Sequence, residues 1–209
     1  MTLATQSCLS GQSVAAMQLA SAGGLTYRRA ITVRRQSMQG RIIEMYIARR
    51  TDAAVEAVQR AHLLPGQGIE GDRYFRARQE SLFAGEARSH SQGDSLSQGA
   101  SHSLRKEDLT LISADELDEW NEACGLQIPF GEFRRNVITR GIDLNALVGR
   151  RFRIGSVECV GIELCEPCSK LARLISRQVL PNLVHRAGLR AAILSEGMVV
   201  PGDTLQTMD

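Results

Sequence analysis

The stretch VECVGIELCEPCSKL, residues 157–171, decides how the chain is read. Val157, Cys159 and Gly161 alternate with Glu158, Val160 and Ile162, the period of two that marks a strand, and the Val and Ile content agrees with it. Pro167 lacks a backbone donor and pushes Glu166 towards an extended conformation, so the strand should end there in a turn. In the following SKLARLISRQ, Leu171, Leu174 and Ile175 stand at i, i+3, i+4 spacing, which predicts a helix. Cys168 therefore falls at a strand-to-helix junction, beside orphan backbone N–H groups and the positive end of a helix dipole, both of which favour a thiolate. A thiol so placed suits a nucleophile or a metal ligand.

Outward from this stretch the chain is punctuated by short strands. HRAGLRAAILSEGMVVPGDTLQ predicts a strand at Leu189–Leu194, a turn at Glu196 and Gly197, and a PGD turn before a last strand. On the other side, Val137 and Ile138 lie in one predicted strand and RRFRI, ending at Gly155, forms another. Arg134, Arg135 and Arg140 gather around Asn136, Thr139 and Gly141, a set that either binds an anion through charge-assisted bonds or is a surface charge cluster. DLTLI is a short strand, and Ser113 with Glu116 is a capping box that starts a helix. On that helix Leu117, Trp120 and Cys124 take the buried stripe, while Asp115, Asp118, Glu119 and Glu122 form a solvated face. GRIIEMYIA sets Ile42, Glu44 and Tyr46 against Ile43, Met45 and Ile47, a strand apolar on both faces and so expected inside a sheet. TDAAVEAVQRAHLL is compatible with helix or strand. PGQGIEGDRYF marks tight turns at Pro65, Gly66, Gly68 and Gly71, with a spacing that matches neither phosphate-binding glycine pattern. Many short strands between turns predict a mainly β fold with a few α-helices, a barrel or sandwich.

Composition bounds the rest. The 209 residues suit one domain, placed at 38–209. Residues 1–37 precede the first acidic residue, Glu44, and read as a disordered tail or an extension upstream of Met38, although their Arg and Ser content also resembles a transit peptide. Residues 85–103 read as a flexible insertion loop, with His90 and His102 as solvated histidines. A net charge of +2, without a Lys/Arg stripe interleaved with aromatics, argues against a nucleic-acid partner. No apolar run approaches the roughly 18 residues of a membrane span. Five cysteines without a disulfide spacing point to reduced thiols and a cytoplasmic setting. Cys124 reads as a core residue, and neither Cys8 nor Cys159 has an evident role. Cys165 and Cys168 form a CxxC, open to a dithiol pair, to half a zinc site that would have to recruit Cys159 and His185, or to a simply buried Cys165.

GIEGDRYF (68–75), LTLIS (109–113), FRRNVITRGIDLNALVGRRFRIG (133–155), ELCEPCSKL (163–171) and HRAGLRAAILSEGMVVPGD (185–203) together resemble the MOSC family, named for the C-terminal domain of molybdenum cofactor sulfurase, in its short stand-alone bacterial form. That resemblance implies a MOSC-type β-barrel, a molybdenum cofactor (molybdopterin), and one functional cysteine at Cys168, either the catalytic metal ligand or the carrier of a sulfane sulfur. It further implies Arg134, Arg135, Arg140, Arg186 and Arg190 as ligands of the pterin phosphate, with Asn136 and Thr139 orienting the pterin. Some members reduce N-hydroxylated bases and amidoximes, which implies a small-molecule substrate. With no flavin or iron–sulfur motif visible, electrons would come from a separate reductase. The alternatives are a persulfide or cofactor carrier without turnover, served by a sulfur donor, and a CxxC thiol or zinc site. No pyridoxal-phosphate domain is apparent in the chain.

Overall fold

Seven strands close into a ring in the computed structural model, which describes residues 38–75, 77, 79 and 104–208. The N-terminal stretch, the 85–103 insertion, Cys8, His90 and His102 lie outside the described residues. The strands are β1 (Gln39–Ile47), β5 (Leu109–Ser113), β6 (Val137–Arg140), β7 (Arg151–Ile154), β8 (Val157–Leu164), β9 (Leu189–Ile193) and β11 (Thr204–Thr207). Around the barrel the order is β1, β6, β5, β9, β8, β7, β11, and β11 returns to β1 through the pairs Gln39↔Gln206 and Arg41↔Thr204. Closure removes the free edges that an open sheet of this size would expose. Only β5 and β6 run parallel, in the register Leu111↔Val137. The stretch at 51–64 is extended rather than helical. It gives β2 (Glu56–Ala57), which hangs on the end of β1, and β3 (Ala61–Leu64), which joins β4 (Gly68–Ile69) and β10 (Gly197–Val199) in a small second sheet.

Period-two patterning fills the barrel. Leu109, Leu111, Val137, Phe152, Ile154, Val157, Cys159, Leu189 and Leu205 belong to one buried cluster inside it. The strand β1 departs from simple alternation: its register shifts between Ile42 and Glu44. Such a bulge adds one residue to one strand, so Ile42, Met45 and Ile47 join the inner cluster while Ile43 and Tyr46 pack against the outer one. Gly161 on β8 is fixed by proximity, since a Cβ there would lie 2.2 Å from the Leu147 carbonyl oxygen on the short 3₁₀ turn Asn145–Leu147 that crosses it.

A second core lies outside the barrel, where helices cover β5 and β6, and this is why all five residues of β5 are buried. Helix α1 (Ala114–Cys124) buries Leu117 and Trp120, and the Trp120 ring meets Phe133 edge-on at 5.5 Å. Ser113 caps its N-terminus, accepting from the Glu116 N–H at 3.5 Å, but the capping box does not close because the Glu116 carboxylate is drawn to Arg186. Gly125 ends the helix in the left-handed region at φ 64°. The helix predicted after Cys168 is shorter than its apolar spacing implies. Helix α2 spans Ser169–Leu174 and α3 spans Val179–Asn182. Leu171 reaches the outer core while Leu174 stands 53% exposed, so only a narrow stripe is anchored. Ser176 then accepts the Gln178 N–H on its own hydroxyl, a local bond that competes with helix continuation.

Candidate functional site

The chemistry-bearing turn leaves the barrel where β8 parts from β9. The ladder runs to Leu164↔Leu189, and Cys165 extends it by one bond, its N–H donating to the Gly188 carbonyl at 2.7 Å. That bond turns Cys165 inward, where it is buried. Burial pushes its thiol above the ordinary value, and the nearby Arg135 and Arg190 charges pull against that rise. Three residues on, Cys168 is the only exposed cysteine among the described residues and occupies the N-cap position of α2 in extended backbone, with no side-chain capping bond. Two cysteines of one CxxC therefore have opposite environments. Cys159 sits in the barrel interior, where burial raises its thiol far above the ordinary range.

Loops on two sides meet around this turn. The Glu166 carboxylate accepts the His185 backbone N–H at 3.0 Å and lies 2.7 Å from His185 Nδ1. These contacts, the backbone bond foremost, hold its carboxyl below the usual range. The Asn145 amide donates to the His185 carbonyl at 2.8 Å, fixing the loop in which His185 adopts φ 60°. From the other side, Arg134, itself left-handed at φ 58°, donates to the Ala53 and Thr51 carbonyls. Lys170, two residues beyond Cys168, reaches the same Thr51 carbonyl and bonds Asp52 at 2.9 Å. Arg135 donates its Nε to the Ala187 carbonyl at 3.0 Å, and among the described residues its terminal nitrogens make no hydrogen bond. Arg190 lies beside Glu163 at 3.5 Å.

The remaining residues implied by resemblance are engaged elsewhere. Arg140 bonds Asp115 at 2.9 Å and Asp118 at 2.6 Å, and Arg186 pairs with Glu116 and Glu119. The acidic face of α1, expected to be merely solvated, thus neutralises two arginines. Asn136 accepts from the Thr110 hydroxyl at 2.7 Å and donates to the Tyr46 carbonyl at 3.2 Å, tying β5 to β1. Thr139 is fully buried with its hydroxyl on the Ile112 carbonyl. Lys170 escaped the sequence reading; its only signal was a position two residues past the cysteine at a helix start. Among the described residues no group of three His, Cys, Asp or Glu side chains is placed to hold a metal ion: Cys159 stays in the barrel interior, and His185 meets the CxxC turn through the Glu166 carboxylate.

A family model for the MOSC domain matches residues 89–206, over half of the chain. The chain belongs to the MOSC domain family. Solved structures with a similar fold include YuaD from Bacillus subtilis, 19% identical, with a TM-score of 0.63, covering 82% of this chain and 97% of that one. They also include YiiM from Geobacillus stearothermophilus, 16% identical, with a TM-score of 0.57 and coverage of 81% and 75%. YiiM from Escherichia coli is 17% identical, with a TM-score of 0.53 and coverage of 82% and 70%. No curated protein matches the chain. At such identities the likeness is one of fold, and the mainly β, seven-stranded MOSC barrel is shared. The family is associated with molybdenum-cofactor binding. No helix among the described residues of this MOSC protein is long and apolar enough to cross a membrane.

Proposed function

We propose that this MOSC protein holds a molybdenum cofactor through the Cys168 thiolate and reduces N-hydroxylated small molecules with electrons from a separate flavin or iron–sulfur reductase. The observation that carries the reading is the contrast within the CxxC: Cys168 is exposed at the β8–α2 turn, and Cys165 is buried behind it under the fields of Arg135 and Arg190. The donor set fits such a group. Thiolate is a soft ligand for a redox-active metal, and guanidinium suits a phosphate. Arg135, with its terminal nitrogens unbonded among the described residues, and Arg190 are the residues of choice for the phosphate, with Arg134 and Lys170 adding positive charge beside the turn. Arg140, Arg186, Asn136 and Thr139 would support this site by holding the fold. The bound cofactor would supply two-electron redox chemistry, and the chain would bind it, orient it and shape substrate access. Thiols kept reduced fit a cytoplasmic setting.

Elemental analysis tests the reading, on wild type and Cys168→Ala purified from a host with active molybdenum-cofactor synthesis. Near-stoichiometric molybdenum lost in the variant, together with reduction of 6-N-hydroxylaminopurine by wild type only, supports it. A Cys168 persulfide seen by intact mass, without molybdenum, replaces it with a sulfur carrier; zinc in place of molybdenum replaces it with a thiol metal site.

A further inference from the structure

A cleft of about 490 Å³ opens between the outer face of β1 and the segment that follows α1. It shares no lining residue with the Cys168 turn. Beyond the bulge in β1, Glu44 and Tyr46 stand two residues apart on one face of the strand, and the Tyr46 hydroxyl donates to Glu44 Oε2 at 2.5 Å. Gly131 passes flat against the tyrosine, leaving no room for a side chain, since a Cβ would lie 2.7 Å from the ring. Burial first, then the bond to Glu44 and its charge, push the Tyr46 phenol up to about 12, so it stays a donor at neutral pH. The opposite wall is braced as well: Asn121 donates to the Ile128 carbonyl at 3.1 Å and accepts the Ile128 N–H at 2.9 Å. Leu126, Ile128 and Phe130 supply apolar surface.

Among the described residues the lining contains two carboxylates and no Lys, Arg or His. Asp118 is neutralised by Arg140, but Glu44 has no ion-pair partner among the described residues. A half-buried carboxylate without a cation, facing a preformed apolar wall, lacks its complement. We infer that this cleft binds a small organic monocation, an ammonium or amidinium set against the Glu44 carboxylate with its apolar body on Leu126, Ile128 and Phe130. The phenol occupies one carboxylate oxygen and leaves the other for a charge-assisted bond. A hard divalent ion is a poor occupant, because it requires six or more oxygen ligands and gains nothing from apolar walls.

Calorimetric titration of the full chain with benzamidine, its neutral isostere benzamide and the anion benzoate tests the site at low ionic strength. Benzamidine is expected to bind saturably at one site, with benzamide and benzoate at least about tenfold weaker. Glu44→Gln should weaken benzamidine about tenfold and abolish its advantage over benzamide. Because Glu44 is half-buried, Gln127→Lys serves as a second variant: Gln127 is exposed at the rim, and a lysine there should weaken benzamidine severalfold without affecting the melting temperature. Equal binding of benzamidine and benzamide, absence of saturable binding, or benzamidine affinity unchanged in both variants would overturn the assignment.

Discussion

Asn136→Ala separates a structural residue from a cofactor ligand. In the fold its Oδ1 accepts from the Thr110 hydroxyl at 2.7 Å and the Thr110 N–H at 3.3 Å, and its Nδ2 donates to the Tyr46 carbonyl at 3.2 Å. Thr110 is only 7% exposed, so truncation leaves its hydroxyl proton without an acceptor and with little access to water. An orphaned buried polar group costs about 1–3 kcal/mol and the further lost bond about 1 kcal/mol, which gives about 2–4 kcal/mol in all. With a urea m-value of about 2 kcal/mol/M, the midpoint should fall by about 1–2 M. The assay is urea unfolding followed by fluorescence of the one tryptophan, Trp120, which lies in the outer core beside β5. Molybdenum content per folded molecule should stay at the wild-type level. A midpoint within about 0.3 M of wild type, combined with loss of molybdenum, would refute the reasoning and return Asn136 to the pterin.

Iodoacetamide at mildly alkaline pH should label Cys168 ahead of Cys165 and Cys159 in the folded protein, because burial raises both inner thiols; peptide mapping that finds Cys165 labelled first would contradict that order. Gly161→Ala should destabilise by about 3 kcal/mol, measured by the same urea titration, since the new methyl meets the Leu147 carbonyl and the 3₁₀ turn must move. Asp108 gives a pH dependence. Burial raises its carboxyl above the ordinary 3.8, against two backbone N–H bonds, so the folded state binds the proton more tightly than the unfolded chain. The stability this contributes is fully present below 3.8 and is lost as pH rises through the raised value. Asp108→Asn should therefore gain on wild type as pH is raised from about 3 to 7, in parallel melts of the two proteins; a constant difference would show that Asp108 does not titrate as described.

Much of the strand map was legible in the chain, because alternation and turn residues are local signals. LTLIS, RRFRI and VECVGIEL form strands close to where their patterns placed them, and the junction that carries Cys168 follows from Pro167 and the apolar spacing beyond it. The same logic failed where a neighbour intervened. The bulge in β1 redirects Tyr46 and Glu44, and the helix after Cys168 ends at Leu174, which stands half exposed, before Ser176 takes the Gln178 N–H on its own hydroxyl.

The sequence by itself determined the strand-rich class, the placement of a thiol at a strand-to-helix turn, and the supply of arginines around it. Tertiary structure alone decided which arginines are available. Arg140 and Arg186 lie 22 to 70 residues from the α1 carboxylates that neutralise them, whereas among the described residues Arg135 spends only its Nε on a carbonyl. Strand and turn preferences are set by each residue and its immediate neighbours, so they can be read along the chain. Charge compensation is set by separation in space, and only closure of the barrel, with α1 laid across β5 and β6, brings those groups within a few ångströms.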